Sequence, residues 1–488
     1  MSGSKQLSDD VDPKSLVSTD HMFEDEVIEE NHIEKLVSAT CSHHEAEEDV
    51  VYDSGYAWVV CLCCFFMNFC TWGMNLGFAI YFANYLDLGT FAGATKLDYA
   101  WIGGIAFGVG LACLPVVNWL VPIIGMNGCL LVGNCLQFTA LMLASWLTKL
   151  WQLYLTQGLM NSFGLAFILI PQLIIIPMWF KKKRVFAGGI ASAGLGAGGI
   201  LFNLGMQAIV EAKLVHWALR AQAIILFGIM WFPIVFIRSR HKLSGAGFKL
   251  VDKQILMLAS FYILAMYIIF CIFSYVILLY SLAQWTTTLG ESVYRGLIVS
   301  ACVQVGLCVF RPIFGVLGTP KFLGPLTMGS ILYTLCGIFC LAMWIPLRNF
   351  AAAVAFAIIE GGMMGFIYSM FTPVCAAVFG MKKMSTAFSN LWVLQGLAAI
   401  FGPVIGIKLR RGEGAYVDPT QYQDCAIFCG VCFIAAGFFL FLERGYLVAR
   451  NRIMVAEGHE VDPDKIDFAA YTVPPMAVLR GCFGAGKF

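Results

Sequence analysis

Arg311 and Glu360 stand out in this sequence as residues equipped for chemistry, because each is a formal charge set inside a long apolar run. A charge at the centre of a bilayer costs about 2.5–3.5 kcal/mol even on a lenient insertion scale, so each needs water, a partner or a use. Arg311, in Phe310-Arg-Pro-Ile, falls near the end of its run. There it either binds an anion or snorkels outward as a structural group beside Pro312. Glu360, in Ile359-Glu-Gly-Gly-Met, falls near the middle of its run. It either exchanges a proton during a transport cycle or packs as a protonated or Arg-paired residue. Uncharged polar and aromatic side chains recur in the other runs: Asn68 and Asn75, Gln157 and Asn161, Gln304, Tyr368, and Trp392 with Gln395. Rings offer stacking faces and amides offer edge hydrogen bonds, the contacts a flat neutral or singly anionic organic molecule needs. Each amide taken alone reads better as an interhelical hydrogen bond; together they suggest a polar lumen. The candidate binding set is Arg311, Glu360, Asn75, Asn161, Gln304, Tyr368, Trp392 and Gln395.

Those side chains need a scaffold that holds them at depth. Hydrophobic residues make up 59% of the 488 and charged residues 12%, against about 25% charged in soluble domains; mean hydropathy is +0.79. Apolar runs of spanning length recur, and in lipid such runs must be helices. They fall at 57–82, 99–122, 127–147, 151–178, 185–210 and 216–237, then 255–283, 294–317, 325–345, 351–378, 385–408 and 425–446. The expectation is an all-α membrane protein of 12 transmembrane helices in two six-helix bundles. Its parts are a disordered acidic cytoplasmic tail (1–52), a first bundle (53–237), a cytoplasmic linker (238–254), a second bundle (255–448) and a cytoplasmic C-terminal tail (449–488). Basic residues gather in alternate connections, at Lys181-Lys182-Lys183-Arg184, Arg238 to Lys253, Lys321 and Lys382-Lys383, which places both termini in the cytoplasm. Lys408, Arg410 and Arg411 break the pattern and are outvoted. The tail before the first run is polar and lacks a secretory signal pattern, so the first span is expected to direct its own insertion.

Several function classes drop out. A net charge of +1 gives no reason to expect nucleic acid. The 18 cysteines are scattered through apolar runs, as at Cys61, Cys63, Cys64 and Cys70, and read as small hydrophobes rather than disulfides or metal ligands. Gly194-Leu-Gly196-Ala-Gly-Gly199 has the letters of a dinucleotide fingerprint but lies inside an apolar helical run, so close helix packing is the better reading. No Walker A loop is present, and the HxxxxD spacing of His44 and Asp49 sits in the polar tail with no fold to hold it. No enzyme activity, cofactor or metal is expected.

Two segments carry a family resemblance. Asp53-Ser-Gly55-Tyr-Ala-Trp58 precedes the first run, and Phe180-Lys-Lys182-Lys183-Arg184-Val-Phe-Ala187-Gly188, continuing to Gly194, opens the fifth. In this order they resemble the paired signatures of the monocarboxylate transporter family within the major facilitator superfamily. Tyr275 to Leu282, Ala342 to Pro346 and Gly402 to Gly406 look like its fungal branch, which includes riboflavin carriers. The resemblance implies a secondary transporter moving a small organic solute by alternating access, with protons as a further partner in symporting members; the plasma membrane is the default address and an internal membrane the alternative. Family members that couple a proton to lactate use a lysine, an aspartate and an arginine. Here those positions fall on Leu76, Leu307 and Arg311, so the lysine–aspartate relay cannot operate. A riboflavin-like solute and a monocarboxylate, carried by facilitated or differently coupled transport, are the two substrate readings. A transporter-fold nutrient sensor and a proton-coupled monocarboxylate symporter using Glu360 stay open as alternatives. The cluster 181–184 is either a topology anchor or a gate that pairs with acidic groups on another loop. Lys5, Lys14 and Lys35, amid acidic and serine residues, are candidate acceptors for the ubiquitin machinery.

Overall fold

A bilayer offers the backbone no hydrogen-bond partner, so each spanning segment must close its own bonds as a helix. The computed structural model follows that rule: among the described residues every regular element is helical. Residues 52–77, 80–81, 84–85, 89–91, 93–238, 252–318, 323–411, 418–458 and 473–484 are described. The N-terminal tail with Lys5, Lys14, Lys35, His44 and Asp49, and all but the ends of the 238–254 linker, lie outside them. Residues 1–50 and 451–461 group as a unit of their own, in which 451–456 are helical; residues 51–450 and 462–488 form the main body.

The spans are α1 (Gly55–Gly73), α2 (Lys96–Ala112, bent by 52° into Leu114–Ile124), α3 (Met126–Ala144), α4 (Leu150–Trp179), α5 (Arg184–Lys213) and α6 (Val215–Phe236). They continue with α7 (Ala259–Thr288), α8 (Val293–Leu317), α9 (Pro325–Trp344), α10 (Phe350–Gly380), α11 (Lys383–Leu409) and α12 (Pro419–Ala456). Counted with the bent pair as one, twelve spans are present among the described residues, as the hydropathy runs predict. The α2 bend falls at Cys113, where Pro115 has no amide with which to carry the ladder onward. Gly125 and Gly324 open α3 and α9 with φ of 81° and 77°, a region glycine enters without strain. The two glycines are equivalently placed in the first and second sets of six, as expected of parallel repeats.

Three helices contain π-helical turns, at Phe69–Gly73 in α1, Tyr154–Met160 in α4 and Cys340–Trp344 in α9. Such turns cluster at functional sites because the widened backbone re-aims side chains. α10 is interrupted once, at Gly365 and Phe366.

Two seams join the first six spans to the last six, α5 along α8 and α2 along α11. Both are glycine-lined. A Cβ on Gly196 would lie 2.5 Å from the Gln304 carbonyl oxygen, and one on Gly396 would lie 2.7 Å from the Ala112 nitrogen. The 194–199 glycines therefore serve packing: Gly194 abuts the Phe65 carbonyl of α1 while Gly196 abuts α8.

The chain beyond α12 adds an element for which the sequence gives no signal, α13 (Pro475–Cys482). Arg444 of α12 ties it down, donating to the carbonyls of Cys482 (2.7 Å) and Gly484 (2.9 Å) and to the Thr327 hydroxyl of α9 (3.0 Å).

Candidate functional site

The two signature segments meet in space. Asp53 accepts hydrogen bonds from the backbone amides of Lys182 and Lys183, both at 3.3 Å, and its own amide donates to the Trp179 carbonyl at 3.0 Å. Trp58 packs edge-on against Phe180 at 5.2 Å, and the Lys183 ammonium lies 5.8 Å over the Trp58 ring. Arg184 donates to the Phe180 carbonyl at 3.1 Å, closing the turn that starts α5. The Cys61 thiol donates to Ala187, and the Asn68 amide to Ala191 at 2.8 Å, so α1 and α5 run together from this corner. Asp53, at the foot of α1, is thus an acidic group that meets the 181–184 segment through its backbone amides. Gly55 has open space around its Cα and Gly188 lines the cleft described next.

That cleft lies between α1, α4, α5, α10 and α11, and its walls include Asn68, Trp72, Arg184, Ser192, Tyr368 and Trp392. Its volume is about 30 Å³, room for a water or two rather than an organic solute. The rings explain the closure. Tyr368 meets Trp72 at 6.0 Å, Trp392 at 5.9 Å and Tyr275 at 5.8 Å, while Trp392 stacks on Phe388 at 4.5 Å. A second cleft, of about 40 Å³, sits among Lys96, Tyr280, Gln284, Arg410 and Tyr422 at the Arg410 end of α11.

Arg311 reaches the ring cluster from α8 and is completely buried. Its Nη1 donates to the Ser192 carbonyl at 2.6 Å, and its guanidinium carbon lies 5.0 Å over the Tyr368 ring. Nε and Nη2 have no hydrogen-bond partner among the described residues, and no described carboxylate pairs with the cation. Tyr275 and Tyr333 flank it without a bond of normal geometry to Tyr275. The α10 interruption adds to the Ser192 carbonyl and the Tyr368 ring in steadying the charge. A Cβ on Gly365 would lie 2.6 Å from Arg311 Nε, so the guanidinium occupies the C-terminal end of the Phe350–Met364 segment. Helix C-termini carry partial negative charge worth about 0.3–1 kcal/mol to a cation, up to about 2 when partly buried. Of the carbonyls freed by the break, that of Met364 accepts from the Tyr333 hydroxyl at 3.3 Å. The result is a held cation with unused donors aimed among aromatic faces.

Of the candidate set, Arg311, Tyr368, Trp392 and Gln395 come together at this level; Gln395 is fully buried with both amide atoms unpartnered. Asn161 donates to Asn75 at 3.1 Å, pairing α4 with α1. Gln304 lies on α8 against Gly199. Glu360 stands apart: it lines neither cleft and faces α9 and α12, accepting from the Cys340 thiol at 3.4 Å with Cys336 and Cys429 beside it. Trp72, Ser369 and Phe388 line the site although nothing in their local sequence marks them, while Tyr275 and Ser192 fall in segments that carry the family resemblance. Two further buried charges, Glu443 and Arg450, lie on α12, whose helix outruns the expected end at 446.

Twelve spans with a closed cleft and a buried cation, Arg311, beside it define a polytopic helical carrier. The chain belongs to the Major Facilitator Superfamily, whose profile matches residues 61–403. It is 39% identical to a Saccharomyces cerevisiae protein described as the probable transporter MCH2, across 85% of this chain and 88% of that one. It is 24% identical to human monocarboxylate transporter 10, across 80% and 79%. Among solved structures it is similar to the proton:xylose symporter XylE bound to 6-bromo-6-deoxy-D-glucose. That likeness has a TM-score of 0.63 and 13% identity over 86% of this chain and 99% of that one, and shows the fold alone. The protein is a multi-pass secondary transporter of this superfamily.

Proposed function

We propose that this transporter carries a small organic monoanion with a flat portion, a monocarboxylate in the broad sense, and that Arg311 is its anion ligand. The observation that carries the reading is the Arg311 guanidinium, buried, unpaired and with two nitrogens left without acceptors beside Tyr368 and Trp392. A carboxylate satisfies such a fork with charge-assisted bonds, and the rings offer stacking faces to whatever is attached to it. The likeness to a protein named as a monocarboxylate transporter lends support. A riboflavin-like solute would use the same ring faces but leave the cation unanswered.

On this reading α1–α6 and α7–α12 act as two six-helix bundles joined by the 238–254 linker, opening the cleft in turn to either side. The termini face the cytoplasm and the plasma membrane is the expected address. Leu76 and Leu307 stand where the relay charges would be. Glu360 points away from both clefts, which favours facilitated transport over symport through that carboxyl.

The test is uptake of labelled monocarboxylates and of labelled riboflavin by the purified protein in liposomes, with and without a pH gradient. Arg311→Gln is expected to cut monocarboxylate uptake at least about 30-fold, the loss typical of removing one partner of a buried charge pair. Uptake that survives Arg311→Gln, or riboflavin uptake alone, overturns the assignment. No uptake of any solute, with binding intact, favours a nutrient sensor.

A further inference from the structure

Beyond Trp72 the described interior holds a second polar zone, built from uncharged amides: Asn75, in the helical turn Met74–Leu76 that continues α1, Gln157 and Asn161 of α4, Asn203 of α5 and Gln304 of α8. The bond from Asn161 to Asn75 is the one side-chain hydrogen bond recorded within the zone. Three donors (Asn75 Nδ2, Gln157 Nε2, Asn203 Nδ2) and three acceptors (Asn161 Oδ1, Gln157 Oε1, Gln304 Oε1) are buried without a partner. Leaving a buried polar group unpaired costs about 1–3 kcal/mol, so six of them on four neighbouring helices call for a polar occupant. The backbone concurs: π-helical turns fall at Phe69–Gly73, just before Asn75, and at Tyr154–Met160, which contains Gln157 and precedes Asn161.

Two helices measure how far this zone lies from the cation. Gln304 and Arg311 are two turns apart on α8. On α5, Gly199, which touches Gln304, and Ser192, which receives Arg311, are separated by the same seven residues. At 1.5 Å per residue both intervals are about 10 Å.

We infer that these amides are a second subsite for the transported molecule, which takes its uncharged, hydrogen-bonding far end while Arg311 takes the carboxylate. This rests on the anion reading of Arg311 and narrows it. The solute class is an elongated monocarboxylate, about 10 Å from carboxylate to a distal hydroxyl, carbonyl or amide. A two- or three-carbon acid reaches one subsite only. Mixed donors and acceptors suit a neutral polar group and supply no counter-charge to a second ionised one.

The experiment compares two monocarboxylates of equal length, one ending in a hydroxyl or amide and one in a methyl, as competitors of uptake in liposomes. The expected result is a preference of about 2- to 13-fold for the polar-ended acid, the value of one net buried hydrogen bond. That ratio should fall towards one in both Asn161→Leu and Gln304→Leu. Two variants on different helices, each checked for an unchanged melting temperature, guard against misfolding. No preference in the wild type, or a preference that neither variant lowers, overturns the inference and leaves ordered water as the occupant. Arg311→Gln separates the two claims: if it leaves inhibition by both acids intact, the anion reading has failed, whatever the polar-to-methyl ratio shows.

Discussion

Replacing Gly196 by alanine tests whether the α5–α8 seam holds the cleft shut. The added methyl meets backbone only: the Gln304 carbonyl oxygen at 2.5 Å, the Cys308 nitrogen at 2.6 Å and the Cys308 Cα at 2.9 Å. No rotamer change relieves such contacts, so the helices must part by roughly 1 Å to regain ordinary van der Waals separation. Overpacking of this kind costs about 1–3 kcal/mol, which is roughly a 5- to 150-fold loss of the packed conformation at about 1.4 kcal/mol per decade. Alanine also gains about 0.5–1 kcal/mol over glycine inside a helix. Gly205→Ala on the same helix shares that gain and has nothing within 4 Å of the new methyl, so comparing the two isolates the seam. The assay is the rate at which an impermeant maleimide labels a cysteine placed at Ser369, which is buried in the cleft wall. We expect labelling about 5- to 150-fold faster in Gly196→Ala than in Gly205→Ala. Equal rates with equal melting temperatures would refute the idea that this seam controls access.

Other expectations concern the edges of the fold. Asp53→Ala removes the acceptor of the Lys182 and Lys183 amides. Because those bonds are exposed, we expect a loss of about 1 kcal/mol, read as a lower melting temperature, with Asp53→Asn retaining part of it. Arg444→Ala removes the bonds to Thr327, Cys482 and Gly484, so a protease added to the purified protein should cleave near Pro475–Cys482 sooner, while uptake persists. The hydroxyl and amide of Thr420, with Arg348 nearby, hold the Asp418 carboxyl below its ordinary value. A depressed folded value means that the turn is supported above the unfolded value of about 4 and released as pH falls through the folded one. The drop in melting temperature between about pH 6 and about pH 3 should therefore be smaller in Asp418→Asn than in the wild type.

Much of the architecture was legible because hydropathy is a local property: α3 to α11 begin and end within a handful of residues of their apolar runs. What failed was whatever depends on a neighbour. The α12 run stops at 446 by composition, yet the helix continues because Arg450 finds the Val378 carbonyl at 3.2 Å. The α10 break at Gly365 was hidden behind Gly361 and Gly362, which look equally suited to a kink but serve as close contacts to Val303 and Phe310 of α8. Depth was readable for Arg311 and Glu360 alike, but direction was not, because neither α8 nor α10 has a distinct polar face. Only tertiary packing shows Arg311 facing the rings and Glu360 facing the α9 cysteines. Ser192 and Ser369, whose hydroxyls meet at 3.1 Å in the cleft wall, are small residues on different helices and give no signal by spacing.

The way Arg311 is held has a kinetic consequence. Its charge is eased by the end of a broken helix rather than cancelled by a carboxylate, so the closed, empty carrier retains a whole positive charge in its interior. Closing around a monoanion makes that interior neutral. The loaded protein should therefore cross between its two open forms more readily than the empty one. Swapping a labelled anion for an unlabelled one across the bilayer should then outpace one-way filling of the vesicle. The one-way flux alone should respond to membrane voltage, through the return of an unaccompanied guanidinium.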